Sequence, residues 1–162
     1  MIELLVVVLV MMLLMTLMWS PRTGKREQAR RAACARQLEK LFISLQIYAN
    51  EHAGAYPATP EAKTAGEALQ LLVPRYTSDI ASFICPAKPE TLREGEPLSR
   101  QKISYAYFMG CFATNSQQVL LSDAQVDTQS KAAGQLAFSA DGKPPGANHG
   151  QRGGNLLFCD GR

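Results

Sequence analysis

The chain has 162 residues, 46% of them hydrophobic, and a net charge of +3. That is one domain's worth of chain, and its nearly balanced charge, with no basic stripe or aromatic platform beyond residue 40, points away from nucleic-acid binding. The apolar residues are unevenly placed, which decides the reading of the N-terminus.

Residues 4 to 19 are apolar except Thr16. A helix of about 20 residues rises about 30 Å, the thickness of a bilayer's hydrocarbon layer. A buried core helix is the soluble alternative, but this stretch is apolar on every face rather than along one stripe. A cleavable secretory signal would carry a basic start, a shorter apolar core and a small-residue cleavage site, and none is evident. Residues 1–20 therefore read as a retained transmembrane segment whose one charge is Glu3. An unpaired carboxylate in lipid is costly and usually faces a partner; the alternative is that Glu3 reaches the headgroups from the edge of the span.

Residues 21 to 40 hold Arg22, Lys25, Arg26, Arg30, Arg31, Arg36 and Lys40 against Glu27 and Glu39. Such a basic collar beside an apolar span suits anionic headgroups. By the positive-inside rule the collar and all that follows would be cytoplasmic, although the rule weighs both flanks and here only one is present.

Pro21 and Gly24 can interrupt the helix, after which a helical pattern resumes. Cys34, Leu38, Leu41, Phe42, Leu45 and Tyr48 recur at spacings of three and four, with Ala49 beside them, forming one apolar stripe on a charged helix. The stop is expected near His52 to Gly54, with Pro57 beyond. The pattern predicts a nearly continuous N-terminal helix of about 50 residues, about 75 Å long, with 21–54 as its soluble half.

Residues 55–162 form the head. "GEALQLLV" suggests a short helix ended by Pro74, and "ASFICP" a short extended piece. Residues 87 to 102 are charged and proline-rich and read as loop. "ISYAYFMGCF", "QVLLSD" and "GNLLFCDG" are short β-favouring runs between turn formers, enough for an antiparallel sheet of three strands, more if the segments near 83 and 138 join. "SADGKPPGANHGQRGG" is loop, and Asp141-Gly142 within it reads as a turn. A sheet with one apolar face laid on the helical stripe gives a two-layer α+β domain.

"IELLVVVLV" resembles the N-terminal methylation segment of type IV pilins and type II secretion pseudopilins. "CARQLEKLFISLQIYANEHAGAYP" resembles a branch of pilin-like proteins in which a cysteine begins the soluble helix and a Tyr-Ala-x-x-x-x-Gly-x-Tyr-Pro phrase ends it. "FICP", "SYAY", "LLSD" and the closing "NHGQRGGNLLFCDG" resemble the same branch, which ends on a histidine followed, about nine residues later, by Asp-Gly. Here ten residues separate His149 from Asp160-Gly161. The ordered set covers most of the chain. Family precursors carry a short basic leader ending in Gly; this chain begins at Met1, roughly where the third mature residue would stand. Either the start is assigned too far downstream or this copy cannot be processed; the expectation is the first, and a restored basic leader would reverse the topology conflict and place the head in the periplasm.

What the resemblance implies is assembly. In the family the glutamate corresponding to Glu3 pairs with the N-terminal amine of a neighbouring subunit. The expected protein is a single-pass inner-membrane filament subunit, most closely a type II secretion pseudopilin. Its partners would be like subunits, membrane lipid, a prepilin peptidase and the assembly machinery. The rival is a membrane-anchored periplasmic binding module that never polymerises.

The remaining candidate residues are few. Cys34, Cys85, Cys111 and Cys159 permit two disulfides in three connectivities, or free buried thiols, and their spacings match no zinc pattern with close ligand pairs. Cys34 and Cys85 stand where the family branch often has cysteine, which favours 34–85 tying helix to loop and 111–159 within the sheet. His149, Asp123 and Asp160 are the only constellation with chemistry. If their strands are neighbours, Asp123 and Asp160 could converge near His149 and hold a structural Ca²⁺, as some pseudopilins do, although histidine is a poor calcium ligand. The plainer alternative is a turn at Asp160-Gly161 with His149 hydrogen-bonded in its loop. No nucleophile elbow, His-Glu-x-x-His or phosphate-binding loop occurs, so no enzyme activity is expected.

Overall fold

The computed structural model describes residues 2–18, 22–88, 91–123, 148–149 and 154–162. Helix α1 runs Ile2–Met18 and helix α2 runs Arg22–Glu51. At 17 residues α1 is about 26 Å long. Among the described residues no helix is long and apolar enough to cross a membrane; Met1, Trp19 and Ser20 of the expected 1–20 span lie outside them. The large apolar side chains of α1 from Ile2 to Met15 are all exposed, Ile2 by 81% and even Val8 by 46%.

Helix α2 buries one stripe, Cys34, Leu38, Leu41, Leu45 and Ala49, and leaves Ile43 and Ile47 outside. It ends because Gly54, at φ 83°, turns the chain back so that its N–H and that of His52 both reach the Ala49 carbonyl. Its last turn is anchored from outside, where Arg75 and the Tyr76 hydroxyl both donate to Glu51.

Helix α3 (Ala65–Leu69) begins at Thr64, whose hydroxyl accepts from Glu67 N–H, while Glu67 reaches back to Lys63 N–H. This reciprocal arrangement satisfies helix donors that would otherwise lack partners. A 3₁₀ turn, Gln70–Leu72, continues it up to the Pro74 region. The expected extended piece at "ASFICP" is instead a 3₁₀ turn over Ile80–Phe83. The Ser82 hydroxyl and N–H both bond back to the Asp79 carbonyl, at 2.6 and 3.2 Å, and that local alternative competes with strand pairing. Ile84 just beyond it is extended. Within the 87–102 stretch, Leu98–Arg100 forms a further 3₁₀ turn.

The sheet has three strands, β1 (Ala106–Tyr107), β2 (Val119–Ser122) and β3 (Leu156–Phe158), antiparallel in the order β1-β2-β3. The fold is thus mixed α+β, with the N-terminal helix on a small antiparallel sheet. The segment near 138 and the Asp141-Gly142 turn lie outside the described residues. The register shifts between Val119 and Leu121. One extra residue there breaks the strict alternation of sides, and Leu120, Leu121, Ser122 and Asp123 are all buried. The core joins the α2 stripe to Leu69, Leu72, Phe83, Tyr105, Leu120, Leu121 and Leu157. Tyrosine hydroxyls satisfy polar groups at the seams of this core: Tyr105 donates to Gln37 on α2, Tyr107 to the Pro57 carbonyl and Tyr56 to the Cys159 carbonyl.

Candidate functional site

Glu27 lies one heptad before Cys34, on the same side of α2 as the buried stripe. Its carboxylate accepts a hydrogen bond from His149, with Nδ1 and Oε1 2.7 Å apart across 122 residues of sequence. A contact that short to a carboxylate puts the ring proton on Nδ1. The other ring nitrogen, Nε2, lies 3.3 Å from Asp123 Oδ2 and 3.7 Å from Cys85 Sγ. The side chains of His149 and Asp123 are fully buried, and that of Glu27 is 20% exposed.

Asp123 follows directly from β2, and the segment leading into β3 holds it. Asn155 donates its backbone N–H to Oδ1 and its side-chain amide to Oδ2, both at 2.6 Å. The same amide donates to the Arg31 carbonyl on α2 at 3.0 Å. Asn148 donates its N–H to the Asp123 carbonyl and its side-chain amide to the Ser104 carbonyl. Burial pushes the Asp123 carboxyl above the usual carboxylate range, against the pull of Asn155, His149 and Arg31. Five backbone segments thus meet at one buried polar point, and each is held there by a side chain.

Cys34 and Cys85 form a disulfide at the edge of this point, with Cα atoms 5.4 Å apart. Both are fully buried, and Cys85 Sγ also accepts from Ala87 N–H. Cys85, His149 and Glu27 are in the order of a nucleophile, a base and an orienting carboxylate. The sulfur is bonded to Cys34 and closed off from solvent, however. Two surface hollows of the head, one lined by Thr114 to Gln118 and one by Thr91, Arg93, Arg100 and Lys102, touch none of these residues.

The pairing expected for Cys111 and Cys159 is not formed. Both are free and buried, and the Cys111 thiol donates to the Phe108 carbonyl at 3.3 Å. Burial, with Cys111 beside it, pushes the Cys159 thiol up to about 12.

The calcium pair also requires correction. Asp123 N–H bonds to the Asn155 carbonyl, whereas Cys159 N–H bonds to the Gln118 carbonyl. Antiparallel pairing therefore puts Asp123 and Asp160 at opposite ends of the β2–β3 ladder, about 17 Å apart along it, and they cannot share an ion. Asp160 instead pairs with Arg162, which donates its Nε at 2.8 Å and its backbone N–H at 3.2 Å. Desolvation raises the Asp160 carboxyl, but the Arg162 bonds outweigh this and hold it below the usual range. Gly161, at φ 87°, closes the turn, and a Cβ there would lie 2.6 Å from Phe42 Cε1.

The two ends of the His149…Asp160-Gly161 phrase therefore grip the same helix. His149 holds it at Glu27 and Gly161 packs on Phe42, positions about 22 Å apart along α2. Sequence reasoning singled out His149 and Asp123 but missed Glu27 and Asn155. Extending the α2 stripe back by seven residues from Cys34 lands on Glu27, a signal that was present but looked like part of the charged collar. Glu3 lies in the first turn of α1 and joins none of these residues. Comparison of the chain with family models, with curated proteins and with solved structures finds no match.

Proposed function

We propose that this chain is a structural subunit of a type IV pilin-like filament, of the type II secretion pseudopilin kind, anchored in the inner membrane before assembly with its head on the periplasmic side. The observation that carries this reading is α1. Its apolar side chains from Ile2 to Met15 are exposed on every face, and its single acidic residue, Glu3, stands in the first turn. Covering that surface, in lipid or against like helices, is worth on the order of 10–20 kcal/mol. Helix α2 is built differently, with one face given to the sheet and the other to charge. A greasy helix projecting from a helix-on-sheet head suits a subunit that trades lipid for a helical bundle. In that exchange Glu3 sets the register by pairing with a neighbour's N-terminal amine. The buried cluster around His149 then serves to lock the head onto α2.

The test is incorporation. The chain, carrying a basic leader, is expressed with a prepilin peptidase and assembly machinery, and sheared surface fractions are probed for it. It should appear there, and Glu3→Ala should stay in the membrane fraction. Equal incorporation of Glu3→Ala would remove the role given to Glu3. A wild-type chain that remains wholly in the membrane would favour the non-polymerising binding module.

A further inference from the structure

The sulfurs of Cys34 and Cys85 and a ring nitrogen of His149 lie within 4.8 Å of one another, all buried. We propose that the dithiol form of this chain binds one Zn²⁺ through Cys34, Cys85 and His149 Nε2, with water as the fourth ligand, and that disulfide formation and zinc binding are mutually exclusive states of one site.

The distances carry the argument. Zinc takes Cys sulfur at about 2.3 Å and His nitrogen or carboxylate oxygen at about 2.0–2.1 Å, in a tetrahedron. Those bond lengths set a ligand-to-ligand edge of about 3.5 Å between nitrogen and sulfur. His149 Nε2 stands 3.7 Å from Cys85 Sγ, and the Cys34 sulfur lies within 4.8 Å of both. The edge from His149 to Cys85 is therefore nearly in place. The edge between the sulfurs requires them to part to about 3.8 Å, which loss of the S–S bond permits.

The surroundings fit as well. Metal-bound histidines commonly donate their other nitrogen to a carboxylate, which fixes the ring and its tautomer. Glu27 does this at Nδ1, leaving Nε2 to face the sulfurs. Asp123 borders the site 3.3 Å from Nε2, its carboxylate held by two Asn155 donors. The ligands come from α2, the loop after Ile80–Phe83 and the turn at 148–149, so the ion would tie together the two segments that the disulfide joins and add the turn bearing His149.

A newly made chain carries both thiols. Zn²⁺ replaces their two protons, and any proton on Nε2 leaves with them to solvent. An oxidant bearing a disulfide later takes the electron pair from the two thiolates. The Cys34–Cys85 bond then forms as the oxidant's S–S bond breaks, its two sulfurs take up two protons from solvent to become thiols, and Zn²⁺ is released. The site is separate from the filament reading, and neither result bears on the other.

The test uses the full chain in detergent micelles, reduced with a phosphine under nitrogen and freed of reductant. Co²⁺ is titrated first, followed by thiolate-to-cobalt charge-transfer absorption and the visible bands of tetrahedral cobalt; Zn²⁺ then displaces it, and bound zinc is counted by elemental analysis. Expected are one ion per reduced chain and none per oxidised chain. Glu27→Gln should weaken binding about 10- to 100-fold, and the Cys111→Ser/Cys159→Ser double variant should bind as the wild type does. Near-ultraviolet circular dichroism before metal addition establishes that each variant keeps its packing. A reduced wild-type chain without stoichiometric metal overturns the proposal. Undiminished binding by Cys34→Ser/Cys85→Ser, or by the oxidised chain, overturns it equally, because the ion would then sit elsewhere.

Discussion

Replacing Cys34 and Cys85 by alanine should reveal how much of the head's stability rests on one covalent link. The bond joins residues 51 apart in sequence. Closing a loop of that length removes about 14 cal/mol/K of unfolded-chain entropy, or about 4 kcal/mol at 25 °C. Alanine removes only a sulfur from each site, so the cavity left adds little beside that figure. With a urea slope of about 2 kcal/mol/M, the unfolding midpoint should fall by about 2 M. The assay is urea unfolding of the oxidised full chain and the double variant in the same detergent. It is followed by near-ultraviolet circular dichroism, which reports tyrosines of the head such as Tyr56 and Tyr105 rather than the helix content of α1. Wild-type protein reduced without metal is the second arm and should match the double variant. A midpoint unchanged within about 0.3 M in both arms would refute the reasoning. So would mass spectrometry of the oxidised chain showing Cys85 free or paired elsewhere.

Two further outcomes follow from the same geometry. Gly161→Ala should cost about 1–3 kcal/mol, since it adds a Cβ 2.6 Å from Phe42 and holds alanine at φ 87°; trimming the ring with Phe42→Leu should recover only the steric part, measured by urea midpoints of the single and double variants. Alkali should unfold the head in a defined window. Burial pushes both the Cys159 thiol and the Tyr56 hydroxyl up to about 12, from ordinary values of 9.0 and 10.0. The unfolded chain therefore gives up these protons first. The stability tied to their neutral forms is complete below pH 9 and declines as pH rises from there to about 12. A urea midpoint that stays flat across that range would contradict the assigned burial.

How much of this was legible in the sequence depended on the range of the interaction. The α2 stripe was visible because Cys34, Leu38, Leu41 and Leu45 repeat with the period of one helix, and the stop at Gly54 because a glycine tolerates positive φ. The three strands were visible as β-favouring runs between turn formers, and the nature of α1 as sixteen nearly unbroken apolar residues. Even locally the reading failed at Ile80–Phe83, where the Ser82 hydroxyl bends the backbone into a 3₁₀ turn.

His149 and Asp123 stood out in the sequence, but the partners that complete the buried cluster belong to tertiary structure. Glu27 looks like a surface residue until His149, 122 positions away, is laid against it. Asn155 looks like a loop residue until antiparallel pairing brings it opposite Asp123. The same register that joins those two carries Asp160 to the far end of the ladder, so the carboxylates expected to share an ion never meet. Periodicity tells which side of an element is apolar, because that follows from bond geometry within a few residues. It holds no information about which polar residue on that side faces which partner. That is decided only when helix and sheet dock, because a buried charge must then be satisfied by whatever the docking has brought within reach.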